Sequence, residues 1–318
     1  MSLPAASPAP VLLLVNPAAG RGRSRSRVRD AVAALETVAP VLVRESAAPG
    51  DEARIAASGE AQAARALVVL GGDGTVSHAA RGLLTAGHRT PLAVLCAGTG
   101  NDLAKSLGTP SHDPHALARC LAAGRTRPLD VGTVDGVPFV NAAGVGFDEA
   151  VLHDVRDPAL APWLRGAARY VALAGRQLFR YPGLPGVRVP QLPHAPSRWL
   201  MLVAANGQWF GGAFRIAPHA RLDSGTLALV GVADAGPVAR AALFARALRG
   251  AHLRHRAVTT ATGVAFTLDA PLPLAFEADG EWHRAAGPTL AIGVIPGALR
   301  AVTAEPGAPP GTSPPPPD

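Results

Sequence analysis

Three short segments combine acids with glycines in a way that could bind a phosphorylated ligand. They read GGDGT at 71–75, GTGND at 98–102 and ADGE at 278–281. The first follows an apolar run and opens a helical pattern, so its backbone N–H groups and the helix N-terminus would both face an anion. Glycines there let the backbone approach a ligand without an intervening Cβ atom. The segment therefore favours a phosphate site at 71–75.

Asp73 is the acid inside the first of these loops. An acid at a phosphate site makes chemical sense if it faces a metal ion, directly or through water. An ordinary turn in which Asp73 acts as a local cap explains this loop equally well. Taken singly, Asp102 looks like a helix cap, and Asp279-Gly280 is more typical of a structural hairpin turn.

Common nucleotide fingerprints are absent from the sequence. Three segments begin G-x-G but lack the third glycine of a dinucleotide site, and there is no G-x-x-x-x-G-K-[ST] segment. These absences exclude a P-loop enzyme and an ordinary Rossmann dehydrogenase. The zinc motif HExxH is also missing, and HLRH at 252–255, next to Arg256, is more typical of a basic surface.

The segments that must position the first two loops alternate between strand and helix patterns. Buried strands are predicted at 10–15, 40–46, 66–70 and 91–95, and helices over about 28–35, 50–66, 76–84 and after residue 101. This alternation predicts an α/β domain with a parallel sheet and helices on its faces. Ligands bind at the carboxyl ends of such strands. The loops at 16–22, 71–75 and 97–101 all follow strands there.

From about residue 127 the pattern changes to short, mostly antiparallel strands. A strand pair is predicted around the Asp135-Gly136 turn, with helices near 158–181 and 236–250. Further strands are predicted at 198–205, 226–232, 263–268, 272–277 and 289–295. We therefore expect an N-terminal domain over 1–126, a β-rich domain over 127–303 and a disordered proline-rich tail over 304–318.

The composition of the chain indicates which classes of partner it could bind. The chain has 318 residues and a net charge of +7, with Lys105 as its single lysine. The charge favours an anionic partner such as a nucleotide, nucleic acid or acidic lipid. Aromatic residues make up only 4% of the sequence, which makes nucleic acid the weakest of these. Two cysteines and the absence of an 18-residue apolar run indicate a reducing, cytoplasmic setting.

A helical wheel over residues 160–181 suggests a second feature. It places four arginines within about 60° of arc, at 100° per residue: Arg165, Arg169, Arg176 and Arg180. Apolar side chains such as Trp163, Tyr170 and Leu178 occupy much of the other side. Such a helix could lie on anionic lipid, although an ordinary surface helix with its apolar side in the core is somewhat favoured. The basic segment 249–256 is a second candidate.

Taken in order, six segments resemble the diacylglycerol-kinase catalytic family, which includes bacterial lipid kinases and the sphingosine and ceramide kinases. They cover roughly residues 11–282. The segments are LLLVNPAAGRG, VVLGGDGTVSHAARGL, PLAVLCAGTGNDLAKSLG, FVNAAGVGFDEAV, ANGQWFGGAFRIAPHARLDSGTL and FEADGEW. NAD kinases share GGDGT alone, whereas the later segments in this order are much more specific.

The resemblance implies an N-terminal βαβ nucleotide-binding domain with a parallel sheet, a second, mostly antiparallel β-sandwich-like domain, and an active site in the cleft between them. It implies ATP contacts on the loop after the first strand, on both glycine loops and on a serine that stands where threonine is usual. Those residues are Asn16, Pro17, Gly20, Ser46, Gly71, Gly72, Asp73, Gly74, Thr75, Val76, Ser77, Gly98, Thr99 and Asn101.

The resemblance also implies a set of catalytic acids. Asp279 matches the family's catalytic base, which would accept the proton of the attacking hydroxyl. The acids that would organise Mg²⁺ and water beside it are Asp73, Asp102 and Glu281.

Two positions depart from the family pattern. A further Mg²⁺ would lie near RLDSGTL, where Ser224 replaces the commoner aspartate and Asp223 is the remaining candidate ligand. His78 occupies a place that is often glutamate, which would alter the site without abolishing it. Asp130, another familiar family position, is more typical of a structural role.

These features imply a lipid kinase that uses ATP and Mg²⁺, most simply one that converts diacylglycerol to phosphatidic acid. The same fold could act on a sphingoid base, another glycerolipid or NAD, and a nucleotide-binding regulator without catalysis is a third alternative. The expected partners are the lipid substrate and an anionic membrane surface, with peripheral association from the cytoplasm and no nucleic acid. A homodimer is left open.

Overall fold

The computed structural model describes residues 9–164, 166–193 and 196–304. Arg165 of the predicted basic helix and the proline-rich tail from 305 onward lie outside the described residues. The chain divides into two compact units: residues up to Leu129 together with those from Gly297, and the continuous stretch Asp130–Pro296. No described helix combines the length and the apolarity needed to cross a bilayer.

The first unit alternates strands and helices along the chain. A single 3₁₀ turn, Ala19–Gly22, follows its first strand. Its elements are β1 (Val11–Val15), α1 (Arg23–Glu36), β2 (Val41–Glu45), α2 (Asp51–Ala56), α3 (Gly59–Ala63), β3 (Ala66–Gly71), α4 (Asp73–Thr85), β4 (Leu92–Cys96), α5 (Asp102–Leu107), α6 (Pro114–Ala122) and the beginning of β5 (Thr126–Val134).

The sheet of the first unit is parallel, in the order β2-β1-β3-β4. Every residue of β1, β3 and β4 is buried, as expected for strands of a parallel sheet covered on both faces. Side chains of α1 and α6 join the core on one face, and α2 packs against α4. The predicted parallel sheet is thereby confirmed.

Three local predictions differ from the structure. The helix predicted over 50–66 is two helices, because Ser58 leaves the helical conformation and caps α3 by accepting the Ala61 N–H at 3.3 Å. The helix predicted from Val76 begins at Asp73, so the glycine loop forms its first turn. Helix α6 was not predicted, although Asp113 caps it and Pro114 opens it.

The second unit is mostly antiparallel. A 3₁₀ turn, Ala251–Arg254, follows its last helix. Its elements are the end of β5, then β6 (Val137–Phe139), β7 (Ala142–Gly146), α7 (Phe147–Arg156), α8 (Gly166–Arg180), β8 (Leu184–Pro185), β9 (Arg198–Ala205), β10 (Leu227–Ala233), α9 (Pro237–Ala247), β11 (Val258–Gly263), β12 (Ala265–Asp269), β13 (Ala275–Ala278), β14 (Glu281–Arg284) and most of β15 (Thr289–Val302).

Two layers of strands form the core of the second unit. One sheet has the order β11-β10-β9-β7-β13-β14, with β8 on β9. Phe276 and Leu202 from this sheet share a buried cluster with Phe266 and Leu290, which lie on the antiparallel pair β12–β15. The other face of the first sheet is covered by α7, α8 and α9. The predicted β-sandwich-like domain is confirmed, whereas α7, β11 and β14 were not predicted.

Strand β15 changes the predicted domain assignment. It was expected at 289–295 within the second domain, but it continues to Val302. Its last residues lie parallel to β4, where Ala301 pairs with Leu92. The stretch from Gly297 therefore belongs to the first unit, since its hydrogen bonds and buried side chains are there.

Candidate active site

The two glycine loops of the first unit touch backbone to backbone. A Cβ atom on Gly98 would lie 2.7 Å from the Gly72 Cα atom, closer than side chains tolerate. Glycine at 98 is therefore required by the approach of the loops to each other, whatever ligand they bind.

Asp73 connects these loops. Its Oδ2 atom accepts the Asn101 N–H and its Oδ1 atom accepts the Asp102 N–H, both at 2.6 Å. The carboxylate thus caps α5, whose preceding residue Asn101 has a left-handed backbone, φ 55°. Burial, and then the neighbouring Asp102, raise the pKa of Asp73 above its usual value. Asp73 has the capping role that the sequence left open, and it still faces a second carboxyl.

The beginning of α4 presents an open backbone surface. Gly72 precedes the helix and has no side chain that could cap it. The first N–H groups of the helix therefore have no side-chain acceptor at this position. A Cβ atom added to Gly74 would meet no atom within 4 Å, and Gly74 has no positive φ. The fold of this unit does not require glycine at 74. The approach of a ligand to the backbone would require it, and the helix N-terminus suits a phosphate.

A polar network supports this helix from beneath. The Asn16 Nδ2 atom donates to Thr75 Oγ1 at 3.0 Å and to Glu52 Oε1 at 3.1 Å. The other Glu52 oxygen accepts the Gly50 N–H and lies 3.3 Å from His78 Nδ1. Glu52, 1% exposed, was missed by the sequence reasoning. Its signal was its place on the buried side of α2, at helical spacing from Ile55 and Ala56.

The remaining predicted ATP contacts occupy distinct places. Ser46 lies just after β2, where its N–H bonds to the Val15 oxygen at the carboxyl edge of the sheet. Thr99 is exposed on the second glycine loop. Val76 and Ser77 are buried within α4, so their side chains face the protein interior. Pro17 and Gly20 belong to the turn after β1, and Gly71 ends β3.

The predicted metal ligands of the first unit are two adjacent carboxyls. Lys105 Nζ lies 3.2 Å from Asp102 Oδ1, and Asp73 lies beside that acid and accepts its N–H. Within the described residues, no group of three His, Cys, Asp or Glu side chains could hold a metal ion. Mg²⁺ commonly takes only one or two carboxylates together with substrate phosphates. The pair Asp73–Asp102 fits that pattern, because a cation would relieve the repulsion between the two charges.

In the second unit, Asp279 occupies a tight turn between β13 and β14. Its backbone is left-handed, φ 50°, and its carboxylate accepts three backbone N–H groups. Oδ2 accepts from Val140 at 2.8 Å, and Oδ1 accepts from Asn141 at 2.9 Å and Ala142 at 3.3 Å. The orientation of this carboxylate is fixed by the sheet. Glu281 begins β14, with Oε2 3.9 Å from His283 Nε2.

Asp223 lies in a different loop, before β10. Its Oδ1 atom accepts from Arg221 Nε at 3.3 Å. The buried Asp130 contacts this loop, because its Oδ2 atom accepts the Gly225 N–H at 2.6 Å. These contacts explain how the loop is held in place. The described part of the chain has no cluster of three potential metal ligands in this loop.

A cavity of about 400 Å³ lies in the second unit. Helices α8 and α9 form one side, through residues such as Val171, Leu178 and Phe244, and the strands β9 and β10 form another. The lining is almost entirely apolar, and the volume falls within the about 300–1,000 Å³ of common ligand pockets. No local sequence pattern predicts this cavity, because its walls come from separate elements.

Asp148 is the one carboxyl among the described residues that line the cavity. Neither of its oxygens has a hydrogen-bond partner, and burial raises its pKa from 3.8 to about 7. Its segment carries part of the family resemblance, but Asp148 itself was not predicted as a functional residue. An acid at the start of a helix is common, and nothing in its local sequence distinguishes a buried one.

Comparison with known proteins assigns both units. Residues 10–134 match the family described as the diacylglycerol kinase catalytic domain, and residues 141–303 match the YegS C-terminal NAD kinase beta sandwich-like domain. The chain belongs to the family of diacylglycerol kinases and YegS-like lipid kinases. The resemblance of the sequence to this lipid kinase family is therefore confirmed.

Relatives in the lipid kinase family align over most of the chain. A diacylglycerol kinase of Mycobacterium tuberculosis (strain ATCC 25618 / H37Rv) is 29% identical over 268 residues, 82% of this chain and 85% of that protein. A Pseudomonas aeruginosa (strain UCBPP-PA14) protein named "Probable lipid kinase YegS-like" is 33% identical over 218 residues, 68% of this chain and 70% of that protein.

A solved structure shares the fold. The crystal structure of a diacylglycerol kinase from Bacillus anthracis str. Sterne superposes with a TM-score of 0.69 at 20% identity, covering 93% of this chain and 97% of that one. The lipid kinase fold of both units is thereby supported independently of sequence similarity.

Proposed function

We propose that this lipid kinase transfers the γ-phosphate of ATP to the free hydroxyl of diacylglycerol, forming phosphatidic acid. The observation that carries the proposal is the apolar cavity of the second unit, which suits hydrocarbon and offers little to a dinucleotide such as NAD. The names of the relatives from M. tuberculosis and Bacillus subtilis point to the same acceptor.

The first unit would bind ATP through its glycine loops. Backbone N–H groups at the beginning of α4 would receive phosphate oxygens, and the absence of a side chain at Gly74 leaves room for them. Asp73 and Asp102 would hold Mg²⁺, which would neutralise charge on the transferred phosphoryl group. Asp73 also keeps the second loop in place through its two N–H bonds, so it would both bind the metal and shape the site.

In the second unit, Asp279 would accept the proton of the attacking hydroxyl. A base acts efficiently when its geometry is fixed, and three backbone N–H groups fix this carboxylate. Glu281, two residues further on, would assist through the metal and its water, as the family resemblance implies.

A membrane surface would be the protein's second partner, contacted through α8, α9 and the loop before α8. Trp163, Val171, Phe179 and Val238 on these segments are 80%, 68%, 75% and 85% exposed. Val171 also lines the cavity, so the exposed apolar surface continues into the acceptor pocket. A lipid could enter the cavity there without crossing water.

The positive charge near these segments would favour an anionic bilayer. The arginines of the helical wheel account for only part of this charge. Arg176 donates to Asp154 and Arg169 donates to the Leu160 and Asp157 oxygens, so both side chains turn towards α7 and the loop after it. The sequence has no acid over 158–222 or 235–268. Exposed arginines in these stretches include Arg180, Arg246 and Arg249.

Replacing Val171 and Phe179 by serine should weaken binding to vesicles that contain anionic lipid by at least about tenfold. An apolar side chain buried in a membrane contributes about 1.5–3 kcal/mol. Cosedimentation measures this, with Val264→Ser/Leu272→Ser, two exposed apolar residues outside these segments, as the matched control. Equal binding of both double variants would exclude this surface.

The activity itself is tested by incubating the protein with labelled ATP, Mg²⁺ and mixed micelles of one acceptor at a time. Diacylglycerol should become labelled, whereas a sphingoid base and NAD should not. Preferential labelling of either alternative would replace the proposal. ATP binding without transfer to any lipid extract would indicate a nucleotide-binding regulator.

A further inference from the structure

The carboxyl group of Asp148 sits where a side chain of the neighbouring strand would be. A Cβ atom on Gly144 would lie 1.7 Å from Asp148 Oδ2. Strand β7 therefore needs glycine at 144 so that the acid at the beginning of α7 can fold back over the sheet. The position of the carboxyl is built into two elements, since any side chain at 144 would displace it.

A second buried acid lies beside it. Glu277 on β13 is the register partner of Gly144, and directly paired residues project from the same face of a sheet. Glu277 is 4% exposed, and its Oε2 atom accepts the Gly280 N–H at 2.7 Å. Its Oε1 atom, like both Asp148 oxygens, has no hydrogen-bond partner. Two carboxyls thus lie side by side with three unpartnered oxygens.

The groups that favour a charge on this pair are backbone N–H groups, such as that of Gly280, and not basic side chains of the described residues. Among the described residues that line the cavity there is no Lys or Arg. Asp154, further along α7, differs from Asp148 because its carboxylate accepts hydrogen bonds from both Arg176 and Gln177. A buried carboxyl without a counter-charge keeps its proton, and a protonated carboxyl needs an acceptor for its O–H group.

We propose that Asp148, in its protonated form, donates a hydrogen bond to an acyl-ester carbonyl of the acceptor lipid, and so selects ester-linked glycerolipids. The proposal rests on the proposed function. An ester carbonyl is an uncharged acceptor that adjoins hydrocarbon chains, which matches one donor in an otherwise apolar cavity. An ammonium group only donates, and would require the ionised form.

The groups that face Asp148 agree with a neutral site. Burial raises the pKa of Glu277, and Asp148 raises it further. Burial, and then Asp148, also raise the pKa of Tyr181, which lies just after α8. Burial raises the pKa of Glu149. Burial lowers the pKa of His252 in the cavity wall, so this group adds no positive charge near neutral pH.

The test compares a diacylglycerol with the dialkyl-ether glycerol of the same chain length, which keeps the free hydroxyl but lacks the carbonyls. Wild type should favour the diester by about tenfold in kcat/KM, the order expected for one hydrogen bond. Asp148→Leu should lose this preference by weakening diester turnover alone. Asp148→Asn, which still donates, should keep much of it, and KM for ATP should be unchanged in both.

Two further measurements separate this proposal from the proposed function. The rise in melting temperature caused by each lipid without ATP reports binding even if no lipid is phosphorylated. The KM of wild type for the diester should rise as pH increases above about 7, and that of Asp148→Asn should not.

The control Asp154→Asn should melt at lower temperature and keep the wild-type preference. The proposal is overturned if Asp148→Leu keeps the diester preference, if it weakens both lipids equally, or if a long-chain amine binds better than either glycerolipid. Absence of turnover by wild type, with diester binding that depends on Asp148, would overturn only the proposed function.

Discussion

Asp73 in the first unit, which is half-buried, and Asp148 in the second, which is buried, are both acids at the beginning of a helix, and their surroundings are opposite. Each Asp73 oxygen accepts a backbone N–H at 2.6 Å, whereas neither Asp148 oxygen has a partner. The first acid stabilises the loops that surround it. The second acid makes no such hydrogen bonds, and we have proposed that its partner is a ligand. The glycine loops of the first unit are thus held together by hydrogen bonds to backbone N–H groups, whereas the cavity of the second unit is formed by side-chain packing.

Replacing Asp73 by alanine should have the largest effect, because it removes the proposed metal ligand and the cap of α5 together. Turnover should fall by about a thousandfold or more, because metal and second loop are lost together. The melting temperature should fall as well, since the α5 cap contributes on the order of 1 kcal/mol. Asp73→Asn keeps an acceptor for one N–H and should recover part of the stability but little turnover. Normal turnover in either variant would remove Asp73 from the mechanism.

Asp279→Asn tests whether an acid bonded to the backbone can also be a base. Lipid phosphorylation should fall by about 10²–10⁴-fold, the usual contribution of a positioned base, while ATP affinity changes little. Asn keeps one oxygen for the turn, so the melting temperature reports how much of the loss is structural. A parallel loss of ATP binding and transfer would mean that Asp279 is only a structural residue.

Gly74→Ala tests the proposed phosphate site of the first unit with a smaller change. Its Cβ atom meets nothing in the protein, so the melting temperature should stay close to that of wild type. The KM for ATP should rise by about tenfold if phosphate approaches the backbone there. Gly98→Ala is the matched contrast, because its Cβ atom would lie 2.7 Å from the other loop and should lower stability by about 1–3 kcal/mol. Equal effects on KM and stability in both variants would contradict this distinction.

Asp148→Asn should have the smallest effect on turnover, and it should raise the melting temperature at neutral pH, whereas Asp73→Ala should lower it. Burial raises the pKa of Asp148 from 3.8 to about 7. Between those values the folded protein holds a proton that the unfolded chain has released, so this group makes stability fall as pH rises. Melting curves from pH 4 to 8 should show a flatter decline and a higher melting temperature at pH 7 for Asp148→Asn.

The same contrast explains what the sequence could predict. The glycine loops and their place at the carboxyl ends of strands follow from local patterns, and the structure confirms this placement, whereas the roles of the acids within the loops stay predictions. The helical wheel over 160–181 was less informative, because Arg176 bonds to Asp154 on α7, a helix that was not predicted. Glu52 and Asp148 were missed for a related reason. Their burial depends on packing against distant segments, which no local spacing records.

Strand β15 has a consequence for how the chain acquires its structure. The second unit is continuous from Asp130 to Pro296, but the first needs residues from Gly297 onward beside β4. During synthesis, neither unit can be completed before β15 has been made, because Leu290 of this strand belongs to the core of the second unit and Ala301 pairs with β4. The first unit depends on contacts of long sequence separation, which form slowly. Its N-terminal part must wait on the ribosome with the β4 edge unpaired by β15, and this edge is where aggregation or chaperone binding would begin.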